Sequence, residues 1–359
     1  MSNKLSFLKD FDKTVDGMDG VGRSSQPPRF WIDTGNHVLN KIISGSFKRG
    51  IPQGRITTLA GPSASGKSFL TGNLIREAQK SGAFVLVVDS ENALDDDFVS
   101  AIGANPHEDY EYVGVTTIGQ AQKIVSSFIK GYRKEYGSDK EAPNVLVVID
   151  SLSMLLTDTE LDNYSKGVQK GDQGQRNKQL KAMLRAFVQD IKDLNIAIVT
   201  TTQVYKNQDL LNGEGNWIVS DAVRYSASQI VLLTKLKLRD TGAKDVAGIR
   251  MKCEGFKTRF TKPFQTVTIE VPYDTGMDPY NGLLEVAKEL NVIEQKGSWY
   301  QFGEDKFQSK NFDERAEDVL NACEAKRELF LEALVDDVDL DLSEGPSSKS
   351  KRQEKVEKE

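Results

Sequence analysis

Residues Gly61-Pro-Ser-Ala-Ser-Gly66-Lys67-Ser68 have the spacing G-x-x-x-x-G-K-[ST] of a phosphate-binding loop. Arg55-Ile-Thr-Thr-Leu-Ala60 before them is short, apolar and β-branched, and reads as a strand. Phe69 to Lys80 after them reads as a helix. Strand, loop and helix in this order separate a real phosphate loop from a chance match. Small residues let the main-chain N–H groups of Gly61, Ser63, Ala64, Ser65 and Gly66 turn inward and cup phosphate oxygens. The helix start, Lys67 through Phe69, adds its positive end. Lys67 is the candidate cation for the β- and γ-phosphates, and the Ser68 hydroxyl the candidate ligand of Mg²⁺. The motif predicts a nucleoside triphosphate, ATP in the simplest case.

Three further strand ends supply the rest of a nucleotide site. Val145-Leu-Val-Val-Ile-Asp150 is an apolar run ending in a carboxylate, which suits a second contact to Mg²⁺ through water. Phe84-Val-Leu-Val-Val-Asp89-Ser-Glu91 places Glu91 just past another strand end, where a carboxylate can orient and deprotonate an attacking water. A P-loop kinase needs no base there, because its nucleophile is the substrate. Thr200-Thr-Thr-Gln203 ends a third strand, and an amide at that edge can hydrogen-bond the γ-phosphate or the water and register its loss.

The whole chain bounds the reading. Its 359 residues suffice for one large α/β domain and a smaller one, and 38% are hydrophobic. No apolar run approaches the roughly 18 residues of a membrane span, and the N-terminus lacks a signal core, so a cytoplasmic protein without membrane contact is expected. Cys253 and Cys323 form no disulfide framework or metal pattern, and His37 and His107 cannot make a histidine metal site. A net charge of −6 means that nucleic-acid contact would have to come from a local, salt-sensitive patch.

Residues 1–28 read as an arm in which Leu5, Phe7, Leu8 and Phe11 could pack on a neighbouring subunit. Residues 29–280 read as the α/β core, with expected strands Ile56–Ala60, Phe84–Asp89, Val145–Asp150, Ala197–Thr202, Ile230–Leu236, Ala247–Cys253 and Phe264–Val271. Helices are expected at Phe69–Lys80, Gly119–Tyr136 and Gln175–Leu194, giving a mostly parallel sheet with antiparallel additions. Residues 281–335 read as a small α+β subdomain: a helix at Leu283–Leu290, a hairpin at Trp299–Phe307 and a helix from Phe312 to Val335. Residues 336–359, with Asp336, Asp337, Asp339, Asp341 and Glu344, read as a disordered charged tail.

The ordered set Ile32-Asp-Thr-Gly, Gly50-Ile-Pro-Gln-Gly54, Gly61–Ser68, Asp89-Ser-Glu-Asn-Ala-Leu-Asp95, Val148-Ile-Asp150-Ser and Gln203 resembles RecA-type recombinases, most closely the phage UvsX branch. The resemblance covers about residues 29–310. It implies a RecA-like P-loop fold, a DNA-dependent ATPase with ATP and Mg²⁺, and helical filaments on single-stranded DNA. It also implies strand exchange with homologous duplex DNA in recombination, repair and recombination-dependent replication. Mediator or loader proteins and single-strand-binding proteins are implied partners, and the host cytoplasm is the implied location for a phage protein. Glu91 becomes the catalytic base and Gln203 the γ-phosphate sensor. Asp95 and Phe98 become adenine contacts, and Lys257 and Arg259 cations reaching the neighbouring subunit's ATP.

Two loops would bind DNA. The first spans about Thr157–Gly174 and is followed by Arg176, Lys178 and Arg185, the last two on one helical face. The second spans Tyr205–Ser220, with Tyr205, Lys206, Trp217 and then Arg224 suiting sequence-independent single-strand binding. The pattern carries Gly-Gly near the end of this loop, where this chain has Val219-Ser220. A hexameric ring helicase on the same core is the alternative, disfavoured by the short arm and the subdomain after the core. A small-molecule P-loop kinase is disfavoured by Glu91, Gln203 and the long second loop.

Overall fold

The apolar runs on either side of the phosphate loop lie side by side in one eight-stranded sheet. A computed structural model of the chain describes residues 8–16, 27–168, 174–206, 217–238, 247–272 and 275–343. Helix α1 (Leu8–Asp16) precedes the core, and β1 (Trp31–Ile32) pairs antiparallel with β2 (Ile51–Pro52) around α2 (His37–Ser44). Then come β3 (Ile56–Ala60), α3 (Lys67–Lys80), β4 (Phe84–Asp89), α4 (Asp96–Ala101), β5 (Tyr110–Gly114), α5 (Ile118–Tyr136) and β6 (Val145–Asp150). Next are α6 (Asp158–Ser165), α7 (Gln175–Ile191), β7 (Ile196–Thr202), β8 (Tyr205–Lys206), β9 (Trp217–Ile218) and α8 (Asp221–Ser226). Three long strands follow: β10 (Gln229–Leu238), β11 (Gly248–Lys257) and β12 (Thr266–Pro272). The chain ends in α9 (Leu283–Glu289), β13 (Glu294–Lys296), β14 (Trp299–Phe302), β15 (Asp305–Phe307) and α10 (Ala316–Ser343).

The large sheet runs β12-β11-β10-β3-β7-β6-β4-β5. Pairing is parallel from β10 through β5 and antiparallel for β11 and β12. Every residue of β3, β6 and β7 is buried, as expected for central strands covered by helices on both faces. One face packs on α2, α3, α9 and α10 through residues such as Phe47, Leu70, Leu74, Phe312 and Leu320. The other packs on α5, α7 and α8 through Val125, Ile129, Met183, Phe187 and Val223. Because all the parallel strands point the same way, their C-terminal ends line up along one edge, and the phosphate loop, Glu91, Asp150 and Gln203 all follow such ends.

The α/β class matches the expectation, with four corrections in detail. Edge strand β5 was not expected; its Tyr-Glu-Tyr-Val-Gly sequence lacks the run of aliphatics that marks a central strand. The first expected DNA loop contains α6, which begins at a capping box between Thr157 and Glu160. The expected hairpin is a three-stranded sheet, β13-β14-β15. Helix α10 begins after Phe312 and continues to Ser343, into the acidic run expected to be disordered. Charge alone does not end a helix: Val338, Leu340 and Leu342 intersperse the carboxylates, and the first helix breakers are Gly345 and Pro346. Residues 344–359, with Leu5 and Phe7 of the arm, lie outside the described residues.

Candidate nucleotide-binding site

Between β3 and α3 the chain makes the turn that the motif requires. Ala64 (φ 57°) and Gly66 (φ 97°) both adopt left-handed backbone, which rotates successive N–H groups toward a common concavity. Gly61 leaves no room for a side chain: a Cβ there would stand 2.5 Å from both the Leu233 carbonyl and the Ser65 hydroxyl. The Lys67 ammonium donates to the Gly61 and Pro62 carbonyls, each at 3.0 Å, folding back over the loop it belongs to. Burial lowers its pKa, opposed by the nearby charges of Glu91 and Asp150. A phosphate would replace those two carbonyl contacts with full negative charge.

The strand ends are bound into one network. β4 and β6 are in register with Asp89 opposite Asp150. The buried Asp89 carboxylate accepts four main-chain N–H groups, from Glu91, Asn92, Ala93 and Leu94, at 2.7–3.1 Å. Those bonds hold the turn that carries Glu91. Ser151 Oγ donates to Glu91 Oε1 at 2.7 Å, and the Ser90 hydroxyl bridges the Ser151 carbonyl and amide at 2.8 and 3.0 Å. Asp150 is 1% exposed; its Oδ1 accepts from the Thr201 hydroxyl, while Oδ2 has no hydrogen-bond partner. Burial pushes its carboxyl up to about 6, with the Thr201 bond opposing and the charges of Glu91 and Asp89 adding. An orphaned carboxylate oxygen and the buried, unpartnered Ser65 hydroxyl beside a phosphate cradle fit a bound Mg²⁺–nucleotide. Among the described residues no three His, Cys, Asp or Glu side chains cluster as a metal site, which Mg²⁺ shared with phosphates does not need. Gln203 follows β7, whose Thr202 carbonyl accepts the Gly61 amide at 3.1 Å, so the expected sensor stands next to the first residue of the loop.

This arrangement has known relatives. The RecA N-terminal domain matches residues 21–278, more than two-thirds of the chain. The chain belongs to the RecA family. It is 29% identical over 320 residues to protein RecA of Phytoplasma mali, covering 84% of this chain and 87% of that one. It is 27% identical over 317 residues to protein RecA of Thermus aquaticus, covering 84% and 86%. Cereibacter sphaeroides protein RecA is 28% identical over 263 residues, covering 72% and 71%. As a RecA-family protein the chain is a recombinase and a DNA-dependent ATPase. The ring-helicase alternative draws no support from these relatives. No helix among the described residues is long and apolar enough to cross a membrane.

With the RecA family established, the remaining expected residues divide into those turned outward and those turned inward. Asp95 accepts the Phe98 amide at 2.8 Å as the N-cap of α4, and Phe98 packs over Gly72 of α3. Beside them a cleft of about 380 Å³, lined by residues including Phe69, Asn73, Ile102, Pro272 and Gly276, flanks α3. The buried Asn73 Oδ1 has no hydrogen-bond partner.

Lys257 is engaged within its own chain. Its ammonium donates to the Arg224 and Ala227 carbonyls at 2.6 and 2.7 Å, holding the C-terminal end of α8 in its own chain. Arg259 is exposed, and its charge lowers the pKa of Arg55, after burial. Arg55 precedes β3, whereas the phosphate loop follows it. Arg259 therefore lies at the opposite end of the strand from its own nucleotide site, about 15 Å away at 3.3 Å per residue.

The expected DNA residues also separate. Lys178 and Arg185 are exposed on α7, as expected. Arg176 is half-buried, and its guanidinium donates to the Leu152 and Ser153 carbonyls. Tyr205 is 62% exposed and Lys206 exposed, whereas Trp217 packs against the core and Arg224 is half-buried. β8 and β9 close the base of the second loop, pairing Tyr205 with Ile218 and Lys206 with Trp217. Val219, at the departure from the family's Gly-Gly, is buried. Loop residues 169–173 and 207–216 lie outside the described residues. Sequence reasoning assigned no role to Asp89, Ser151 or Ser153, although Asp89 and Ser151 stand in two of the motifs that carry the family resemblance.

Proposed function

We propose that the chain is a recombinase of the phage UvsX type, which polymerises on single-stranded DNA with ATP and Mg²⁺ and exchanges strands with homologous duplex DNA. The observation that carries the assembly is the placement of Arg259 at the far end of β3 from the chain's own phosphate loop. It cannot serve that site, but in a head-to-tail polymer it can serve the next one. Identities of 26–29% to cellular RecA proteins support a divergent branch of the family.

In this reading the main chain of Gly61–Phe69 and the Lys67 ammonium bind the triphosphate. Ser68 and Asp150 hold Mg²⁺, which when bound neutralises charge on the β- and γ-phosphates. Glu91, held by Asp89 and Ser151, orients water and accepts its proton. Gln203 faces the γ-phosphate, and the base lies near the cleft at Phe69, Asn73 and Ile102, with Asp95 and Phe98 of the α4 segment as its contacts. Lys178, Arg185, Tyr205 and Lys206 face the single strand, with Trp217 and Arg224 supporting the second loop. The arm of residues 1–28 joins subunits, residues 29–280 form the ATPase core, and residues 281–335 form the C-terminal subdomain. The site of action is the cytoplasm, the host's for a phage protein, with loader and single-strand-binding proteins as partners.

Electron microscopy of the protein with ATP and single-stranded DNA tests the reading. Helical filaments that need both ligands are expected; closed rings, or no DNA-dependent polymer, would overturn it.

A further inference from the structure

Ser153 lies just beyond Asp150 and has no assigned part in nucleotide chemistry, but it bonds the main chain of Gln203. It nevertheless joins three segments. The Gln203 main-chain N–H donates to Ser153 Oγ at 2.7 Å, Ser153 Oγ lies 3.1 Å from Thr202 Oγ1, and the Thr202 hydroxyl donates to the Gln203 main-chain carbonyl at 3.3 Å. A threonine hydroxyl has one proton, so with that proton on the Gln203 carbonyl the Ser153 hydroxyl is the donor to Thr202. The three groups close a ring of hydrogen bonds where the chain leaves β7 for the second DNA loop. On its other side, the Ser153 carbonyl accepts the Arg176 guanidinium at the start of α7, where the chain returns from the first loop. The adjacent Asn177 side chain accepts the Ala222 amide at 3.3 Å, tying the start of α7 to α8 behind the second loop.

We propose that Ser153 is a positioning residue that passes the state of the nucleotide site to the bases of both DNA loops together. This rests on the reading of Gln203 as the group facing the γ-phosphate. The Gln203–Ser153 bond is 2.7 Å long, so a displacement of the Gln203 main chain away from Ser153 by about 1 Å takes it beyond the usual N–H···O range unless Ser153 is drawn along. Ser153 cannot follow without pulling on the Arg176 guanidinium, which displaces the start of α7.

The test compares Ser153→Ala, Ser153→Thr and Gln203→Asn in the full chain, measuring ATP turnover with and without single-stranded DNA. Ser153→Ala should keep DNA-free turnover and the KM for ATP within about twofold, while DNA stimulation of kcat falls at least tenfold. Ser153→Thr, which keeps the hydroxyl, should restore most of the stimulation. If Ser153→Ala is stimulated like the wild type, or loses DNA-free turnover in parallel, the relay is wrong. If Gln203→Asn retains full stimulation, the reading of Gln203 is wrong instead. Loss in Gln203→Asn with none in Ser153→Ala overturns the relay alone.

Discussion

Ser151 Oγ donates to Glu91 Oε1 at 2.7 Å across the ends of β6 and β4. The bond aims a carboxylate whose own main-chain N–H is held by Asp89 and one of whose oxygens is held by a hydroxyl. A carboxylate held this way needs little reorganisation to act as a base, the role proposed for it, and that is where preorganisation lowers a barrier.

Replacing Glu91 with Gln should preserve the Ser151 contact and nucleotide binding while removing the proton acceptor. We expect kcat for ATP to fall by about 10²–10⁴-fold with affinity for ATP nearly unchanged. Single-turnover kinetics and a nucleotide-binding titration together check this; near-normal kcat would remove Glu91 as the base.

Subunit mixing addresses the shared site. Glu91→Gln and Arg259→Ala should each be inactive alone. Mixed in equal amounts before DNA is added, roughly a quarter of interfaces would pair an intact Glu91 with an intact Arg259 from the neighbour, restoring a matching fraction of turnover. Mixtures as inactive as the parents would place Arg259 outside the active site.

Asp150 predicts a pH dependence of the nucleotide-free fold. Burial raises its carboxyl from 3.8 to about 6, so folding favours the protonated form. The resulting stability is complete below about pH 4 and is lost as pH rises through about 6. Asp150→Asn carries no charge and should be flat across that window. Without nucleotide it should exceed the wild type by on the order of 1–3 kcal/mol at pH 7.5, with ATP turnover lost. Urea denaturation of both proteins at pH 4.5 and 7.5 reads the difference; a parallel pH response in the two would assign the effect elsewhere.

Lys178 and Arg185 are exposed on one face of α7, with Lys181 between them bound over the Tyr225 ring at 4.7 Å. If each of the outer two neutralises one phosphate, Lys178→Ala or Arg185→Ala should weaken single-strand binding for every base composition. Each should lower the slope of log K against log salt by about 0.7. Fluorescence anisotropy over a salt series decides; an unchanged slope would remove that side chain from the DNA path.

Much of this protein is legible in its residues taken in order along the chain. The phosphate loop is a contiguous stretch whose chemistry is local. The central strands are continuous aliphatic runs because they are buried on both faces. The carboxylates at Glu91 and Asp150 stand out because strand ends in a parallel sheet share one edge. The edge strand β5 and the helical continuation of α10 escape such a reading because amphipathic or acidic segments carry weaker signals.

Sequence by itself determined the nucleotide chemistry, the α/β class and the family, since each rests on residues close together in the chain or on an ordered set of short motifs. Tertiary structure alone decided which way individual side chains face. Glu91 and Ser151 are 60 positions apart, Gln203 and Ser153 are 50, and Lys257 and Arg224 are 33. Such bonds follow from sheet order and register, which bring distant strand ends within 3 Å without leaving any spacing in the sequence. For the same reason Arg176, Lys178, Lys257 and Arg259 look alike as cations, but Arg176 and Lys257 bond main-chain carbonyls of their own chain while Lys178 and Arg259 are exposed.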